Sequence, residues 1–234
     1  MSQPVIICRA AFCLGLLMAA VPAAQAQVGP TATEAAAYTG LHAAAWQGDV
    51  AAIERGVAAS RTALDARDTH GRTPLHVATF ARQRAAVKAL LRVGADPGAL
   101  EADRYDAVTI AAVADDEETL RVLLAQGASA KLVTSRYDGT ALIAAAHLGH
   151  DGVVRQLIAA GAPLDHVNNL HWTAVIESIV LGNGGPRHQA TLQALLKAGA
   201  STRLADRDGR TPLQLARSRG YEAMVRLLLE AGAK

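Results

Sequence analysis

The sequence predicts an all-α solenoid of about six helix-turn-helix repeats with hairpin-like loops. Alanine and leucine, which favour helices, are abundant, whereas valine, isoleucine and threonine are too scattered for a strand-rich fold. A hexapeptide that usually begins with threonine returns at nearly constant spacing through most of the chain. From the second copy onwards, a Gly-Ala pair returns near the end of each copy. Two landmarks that move together indicate repeated structural units.

The N-terminal segment, residues 1–26, has the pattern of a cleavable signal peptide. Arg9 supplies a positive charge, residues 10–20 form an apolar run, and Ala24-Gln25-Ala26 is a small-x-small cleavage site. The run is too short for a transmembrane helix, and a buried N-terminal helix is the alternative interpretation. We therefore expect a signal peptide at residues 1–26, a repeat domain at residues 27–234, and export to the periplasm or the extracellular space.

The composition restricts the possible partners of the mature chain. Both cysteines, Cys8 and Cys13, lie within the predicted signal peptide, and the bulky Phe12 before Cys13 argues against a lipid anchor. The charge is nearly balanced, with 23 Lys+Arg and 21 Asp+Glu, which argues against nucleic acid as a partner. No second apolar stretch approaches the length of a membrane span, so we expect no membrane insertion after signal removal.

The copies of the hexapeptide differ in how closely they agree. The second reads Thr-Pro-Leu-His-Val-Ala and the last reads Thr-Pro-Leu-Gln-Leu-Ala, whereas the third and fifth diverge more. The step from the fifth copy to the sixth is longer than the others. The copies begin at Thr39, Thr73, Asp106, Thr140, Thr173 and Thr211, and the Gly-Ala pairs begin at Gly94, Gly127, Gly161, Gly199 and Gly232.

The residues of the second copy explain why each unit should contain two helices. Thr73 can cap a helix N-terminus with its hydroxyl, and Pro74 fits the first helical position, where no amide donor is needed. Leu75 and Ala78 are three positions apart and lie on one helix face. Gly94 can end the second helix in the left-handed conformation. One such pair cannot bury its apolar face alone, but stacked pairs can.

These landmarks resemble the ankyrin repeat, which has a period of about 33 residues and the signature T-P-L-H-x-A. The resemblance covers roughly residues 33–234. It implies that the Thr-Pro-Leu-His tetrapeptide is architectural, with His42 and His76 bridging backbone groups of neighbouring repeats rather than binding metal. It also implies a concave surface formed by the first, inner helix of each pair and by the tips of the hairpins.

Three departures from the regular repeat lead to specific expectations. Arg82 and Asp115 stand where other copies have a turn glycine, so those turns should bend differently or be strained. The segment 182–187 accounts for about five extra residues, whose composition predicts a flexible loop rather than a longer helix. This loop is either a tolerated surface insertion or a partner contact. Leu227 in the last repeat is expected to face outward and offers a weak dimer contact, although we expect a monomer.

Recognisable catalytic motifs are absent from the sequence. It contains no nucleophile elbow, no His-Glu-x-x-His and no glycine-rich phosphate loop. His147 and His150 are three positions apart, but a third ligand at matching spacing is missing, so we expect no metal site. The prediction is a non-enzyme without a cofactor. A remote alternative is a hydrolase that uses the insertion loop, with His188 paired to Asn183 or an acid.

The few aromatic side chains fall in rows that the resemblance places at the surface. In such a fold, the residue before each threonine position lies on a hairpin tip. The seventh and eighth residues after the threonine position lie on the concave face. Tyrosine, tryptophan and arginine are enriched at binding hot spots. Alternatively, Trp46 and Phe80 pack between inner helices as core. The predicted protein-binding residues are Tyr38, Trp46, Arg72, Phe80, Tyr105, Val113, Tyr137, His147, Leu148, Trp172, Leu181 and Arg210.

These observations together predict a protein–protein interaction module. The export signal and the composition indicate a bacterial, periplasmic protein whose partner is an envelope or secreted protein bound in the concave groove. The role would be that of a scaffold or helper. The alternative is an immunity-type inhibitor that blocks a toxin or hydrolase.

Overall fold

The computed structural model describes residues 29–234, so the predicted signal peptide lies outside the described residues. The described chain contains thirteen α-helices, a 3₁₀ helix at Arg61–Asp65 and one two-stranded hairpin. The helices are α1 (Ala32–Ala37), α2 (Gly40–Gln47), α3 (Val50–Ala59), α4 (Pro74–Phe80), α5 (Arg84–Arg92), α6 (Ala107–Val113), α7 (Glu117–Ala125), α8 (Ala141–Leu148), α9 (Asp151–Ala159), α10 (Ala174–Val180), α11 (Pro186–Lys197), α12 (Pro212–Ser218) and α13 (Glu222–Glu230).

From α2 onwards the helices form six stacked pairs. Each inner helix (α2, α4, α6, α8, α10, α12) contacts its own outer partner and the inner helices of the neighbouring pairs, and the outer helices contact one another in the same order. The core is the layer between the inner and outer rows, made of leucine, isoleucine, valine and many alanines. The all-α repeat solenoid predicted from the sequence is therefore confirmed.

Threonine capping, predicted from the second copy, starts most of the inner helices. The Thr73 hydroxyl accepts from the His76 amide, and the Thr73 amide donates to Nδ1 of His76. Thr140, Thr173 and Thr211 accept the equivalent bond, and Asp106 does so in the third repeat. Thr39 makes no such bond. Capping therefore holds in five of the six repeats.

Histidine side chains join neighbouring repeats, as the resemblance implied. His42 Nε2 donates to the carbonyl of Arg72, and His76 Nε2 donates to the carbonyl of Ala99, each over 2.9 Å. Burial lowers the pKa of His76 to about 4, so its ring is neutral and retains the acceptor that caps α4. His150 makes a similar bond to the Ala112 carbonyl.

The loops between repeats are hairpins joined edge to edge by backbone hydrogen bonds. One contains regular strands, β1 (Val133–Thr134) and β2 (Gly139–Thr140), paired antiparallel. Amides at 102, 135 and 169 donate to carbonyls at 70, 104 and 137 of the preceding hairpin, each over 2.9 Å. These bonds hold successive hairpin tips in one row beside the inner helices.

The two turns that lack glycine keep the glycine conformation. Arg82 has φ 55° and Asp115 has φ 53°, both in the left-handed region. A side chain is disfavoured there, so these turns are strained rather than differently bent. Arg82 Nη2 donates to the carbonyl of Ala114 in the next repeat, over 2.8 Å.

The insertion prediction is wrong in part. The connection between α10 and α11, residues 181–185, is two residues longer than the equivalent connection between α4 and α5, residues 81–83. In addition, α11 has 12 residues where the equivalent α5 has 9. The insertion therefore lengthens the helix as well as the loop. Pro186 occupies the first turn of α11, where a missing amide costs nothing. The outward-facing leucine of the last helix is Leu229, which is 46% exposed, whereas Leu227 is half-buried.

Two glycines in left-handed conformations allow a matched test of packing at a turn. Gly149 has φ 70°, and an added Cβ would lie 2.9 Å from Cε1 of His188, whereas Gly127 has φ 88° and open space around it. We expect Gly127→Ala to cost about 1 kcal/mol from backbone strain alone and Gly149→Ala to cost about 2 kcal/mol because His188 must also move. Urea denaturation of both variants measures the difference. Equal losses would show that His188 does not constrain the turn.

Candidate protein-binding surface

The inner surface is formed by the exposed sides of the inner helices and by the hairpin tips. Trp46, Phe80, Val113 and His147 occupy equivalent positions on α2, α4, α6 and α8, and each is half-buried. Trp46 packs against the core with part of its ring. Trp46 is therefore partly a core residue and partly exposed at the surface.

The residues that precede the threonine positions, on the hairpin tips, differ in their exposure. Tyr38, Tyr105 and Trp172 are half-buried, and Arg210 is exposed. Arg210 pairs with Asp206 and Asp208 of its own hairpin. Its charge is therefore balanced locally.

Arg72 requires a correction, because it is only 2% exposed and does not line the surface. Its guanidinium pairs with Asp68 at 2.8 Å and with Glu34 at 2.9 Å. The Tyr38 hydroxyl donates to the same Asp68 carboxylate over 2.7 Å, and burial raises the pKa of Tyr38 above its usual value. These four side chains form a network that joins α1 to the first hairpin. Arg72 is therefore a structural residue.

The N-terminal end of the inner surface is covered by the chain itself. Oε1 of Glu34, on α1, lies 2.7 Å from Nε2 of His70 and 2.9 Å from Nη2 of Arg72. Upstream of α1, Gly29 lies so close to Phe80 that an added Cβ would be 3.1 Å from its ring. A partner can therefore reach Phe80 less freely than the repeats that follow.

The central part of the inner surface remains open. Tyr137 and Leu148 are each 40% exposed, and Leu181 is half-buried at the position equivalent to Leu148 in the next repeat. Tyr105, Tyr137 and His147 line one shared cavity. The fold thus brings together Tyr105, Tyr137 and His147, whereas Trp46 and Phe80 lie outside this cavity.

Glu177 is a candidate functional residue that the sequence analysis missed. It lies on α10 and is 4% exposed. Burial raises its pKa to about 7, although a 3.0 Å hydrogen bond from Asn168 opposes that shift. His147 Nδ1 lies 3.6 Å from its carboxylate, and burial lowers the pKa of His147. The signal in the sequence was a single acid inside the apolar run Ala-Val-Ile-Glu-Ser-Ile-Val.

His188 contacts both the insertion loop and the preceding repeat. Its ring nitrogens lie 2.9 Å from the His147 carbonyl and 3.0 Å from Asn183 Oδ1, and the residue is 9% exposed. It joins α11 to the preceding repeat, as His42 and His76 join theirs. Over residues 29–234, no cluster of three or more histidine, cysteine or acidic residues is placed to hold a metal ion. In the same range, no helix is long and apolar enough to cross a membrane.

A solenoid of stacked helix pairs with an aromatic inner surface defines a repeat protein of the binding-module class. The family model for three ankyrin repeats matches residues 108–200, and the single ankyrin repeat model matches residues 70–101 and 208–234. The chain belongs to the ankyrin repeat family, whose repeats serve as protein–protein interaction modules.

Bacterial relatives share most of their length with this chain. The ankyrin repeat protein YahD of Escherichia coli (strain K12) is 36% identical over 191 residues, which are 81% of this chain and 94% of YahD. An ankyrin repeat domain from Acinetobacter baumannii has 47% identity and a TM-score of 0.77, over 83% of this chain and 98% of that domain. A chain in the complex of a Bdellovibrio bacteriovorus predatory endopeptidase with its immunity protein has 23% identity and a TM-score of 0.68, over 82% and 98%. This last likeness concerns the fold alone.

Proposed function

We propose that the chain is an exported bacterial binding module that holds an envelope or secreted protein on the central part of its inner surface. The observation that carries this proposal is the partial exposure of Tyr105, Tyr137 and Trp172 on three successive hairpins of an aromatic-poor protein. Aromatic side chains at a surface supply large contact areas at low entropic cost and are enriched among binding hot spots. Export is supported by the signal-peptide pattern of residues 1–26.

A scaffold or helper role suits this surface better than a catalytic one. The three aromatic side chains are spread along the row of hairpins, so they suit an extended protein surface. His188, the candidate for a hydrolase, has both ring nitrogens within hydrogen-bonding distance of oxygen atoms. The inhibitor alternative differs in predicting a single, tightly bound toxin or hydrolase.

The proposal is tested by recovering the tagged full-length protein from the periplasm of its source bacterium, together with its partner. We expect the triple variant Tyr105→Ala, Tyr137→Ala and Trp172→Ala to bind the recovered partner at least about tenfold more weakly, because it loses three hot-spot side chains. Isothermal titration calorimetry with the purified pair measures the dissociation constants. One partner that is an active hydrolase and loses activity on binding would favour the inhibitor role.

The matched control is the double variant Lys88→Ala and Arg121→Ala, whose side chains are exposed on the outer helices α5 and α7. It should bind like the unmodified protein. Thermal melting must show that the triple variant is folded, because Trp172 also packs partly against the core. A folded triple variant with unchanged affinity would move the binding surface away from these hairpins, and recovery from the cytoplasm would contradict export.

A further inference from the structure

A small cavity opens in the middle of the proposed binding surface, between the inner helices and the hairpin tips. Its volume is about 70 Å³. This is room for several water molecules or for the end of one side chain. The residues that characterise it are Tyr105, Ser135, Tyr137, His147, Asn168 and Glu177.

One carboxylate oxygen in this cavity lacks a hydrogen-bond donor. Glu177 Oε1 accepts from Asn168 Nδ2 over 3.0 Å. Among the described residues, Oε2 accepts no hydrogen bond, and His147 Nδ1 is 3.6 Å away, too far for one. The Glu177 side chain is only 6% exposed, and Oε2 is open to the cavity without a donor from the described chain, so this oxygen is suited to a donor supplied from outside.

Several other polar groups of the cavity are already engaged in hydrogen bonds. Asn168 Oδ1 accepts from the amides of Leu170 and Trp172, and thereby holds the hairpin that orients its amide toward Glu177. Ser135 Oγ accepts from the amides at 137 and 139. Thr109 and Thr134, also in the lining, share a hydrogen bond of 3.0 Å. These bonds leave the Glu177 carboxylate as the acidic acceptor of the cavity.

We propose that this cavity receives a lysine side chain of the protein partner, whose ammonium group donates to Glu177 Oε2 between the rings of Tyr105 and Tyr137. The inference rests on the proposed function and names the chemistry that the partner presents. Lysine fits better than arginine because only one carboxylate oxygen is open, whereas a guanidinium prefers two. Tyrosine rings attract a cation by their negative faces. No lysine or arginine of the described chain lines the cavity.

The test uses n-butylammonium, which has the four-carbon chain and the ammonium group of a lysine side chain, and n-butanol as its neutral counterpart. Both are titrated into the purified ¹⁵N-labelled protein at pH 8 and followed by NMR. We expect saturable shifts near Glu177, Tyr105 and Tyr137 with n-butylammonium and at least about tenfold weaker binding of n-butanol, as for loss of one charge-assisted contact. Binding should weaken at pH 5, where Glu177 is protonated.

Glu177→Gln supplies the variant arm, with the exposed Glu222→Gln on α13 as its control. The first should lose at least about tenfold in n-butylammonium affinity and the second should be unchanged. Equal binding of butanol and butylammonium, or no saturable shift at the cavity, would overturn the proposal even if Glu177→Gln failed to fold. These measurements need no protein partner. A negative result would therefore contradict the lysine site without contradicting the proposed protein-binding surface.

Discussion

Replacing Leu142 with alanine is expected to lower the free energy of unfolding by about 3–4 kcal/mol. Leu142 is fully buried on α8, in the middle of the array, where this helix packs between α6 and α10 and against α9. Removal of the isopropyl end of the side chain would leave a cavity that the surrounding helices can fill only in part. The loss would be felt by the repeats on both sides, because each repeat is stabilised through its neighbours.

Urea denaturation followed by circular dichroism measures this loss. The matched control is Leu148→Ala on the same helix, which removes the same atoms from a side chain that is 40% exposed. We expect the control to cost about 0.5 kcal/mol. Similar losses for the two variants would mean that the inner row of the solenoid is not packed as the structure shows.

The pH dependence of stability should carry a large contribution from Glu177. Burial raises its folded pKa from 4.5 to about 7, so the folded protein holds this proton more tightly than the unfolded chain. The contribution is therefore fully present below pH 4.5 and is lost as the pH rises through 7. A shift of this size corresponds to about 3 kcal/mol. The lowered pKa of His147 acts in the opposite direction, destabilising the fold as the pH falls below 6.5.

Glu177→Gln separates these contributions, because glutamine cannot ionise and His147 is retained. At each pH, the free energy of unfolding of the variant is compared with that of the unmodified protein. We expect this difference to favour the variant by about 3 kcal/mol more at pH 8 than at pH 4. Tyr105, which also lines the cavity, has a pKa that burial raises further above this range. Denaturation of both proteins at several pH values provides the comparison, and Glu222→Gln is the exposed control. Parallel stability profiles would show that Glu177 is ionised normally in the fold.

The repeat architecture could be predicted from the sequence because its causes are local. Thr73 caps the helix that it precedes, and Gly94 ends the helix that it follows, so both can be interpreted from their immediate neighbours. His42 and His76 could be placed because histidine occupies the same position in the first two units. A signal that repeats needs no knowledge of distant contacts.

The candidate site was predicted less completely because it depends on contacts between distant residues. Arg72 and Arg210 occupy the same position of the repeat, yet only Arg72 is buried, because it pairs with Glu34 on α1, which is distant in sequence. Position in a repeat predicts the direction of a side chain but not what covers it.

The sequence by itself determined the helix pairs, their number, and the row in which the aromatic side chains lie. Only the tertiary structure decided which part of that row stays open and that Glu177 reaches a cavity there. Helix caps and repeat periods are set by the backbone conformations of neighbouring residues. Burial and the state of a carboxylate are set by everything packed around it, here by Asn168, His147 and the hairpins of adjacent repeats.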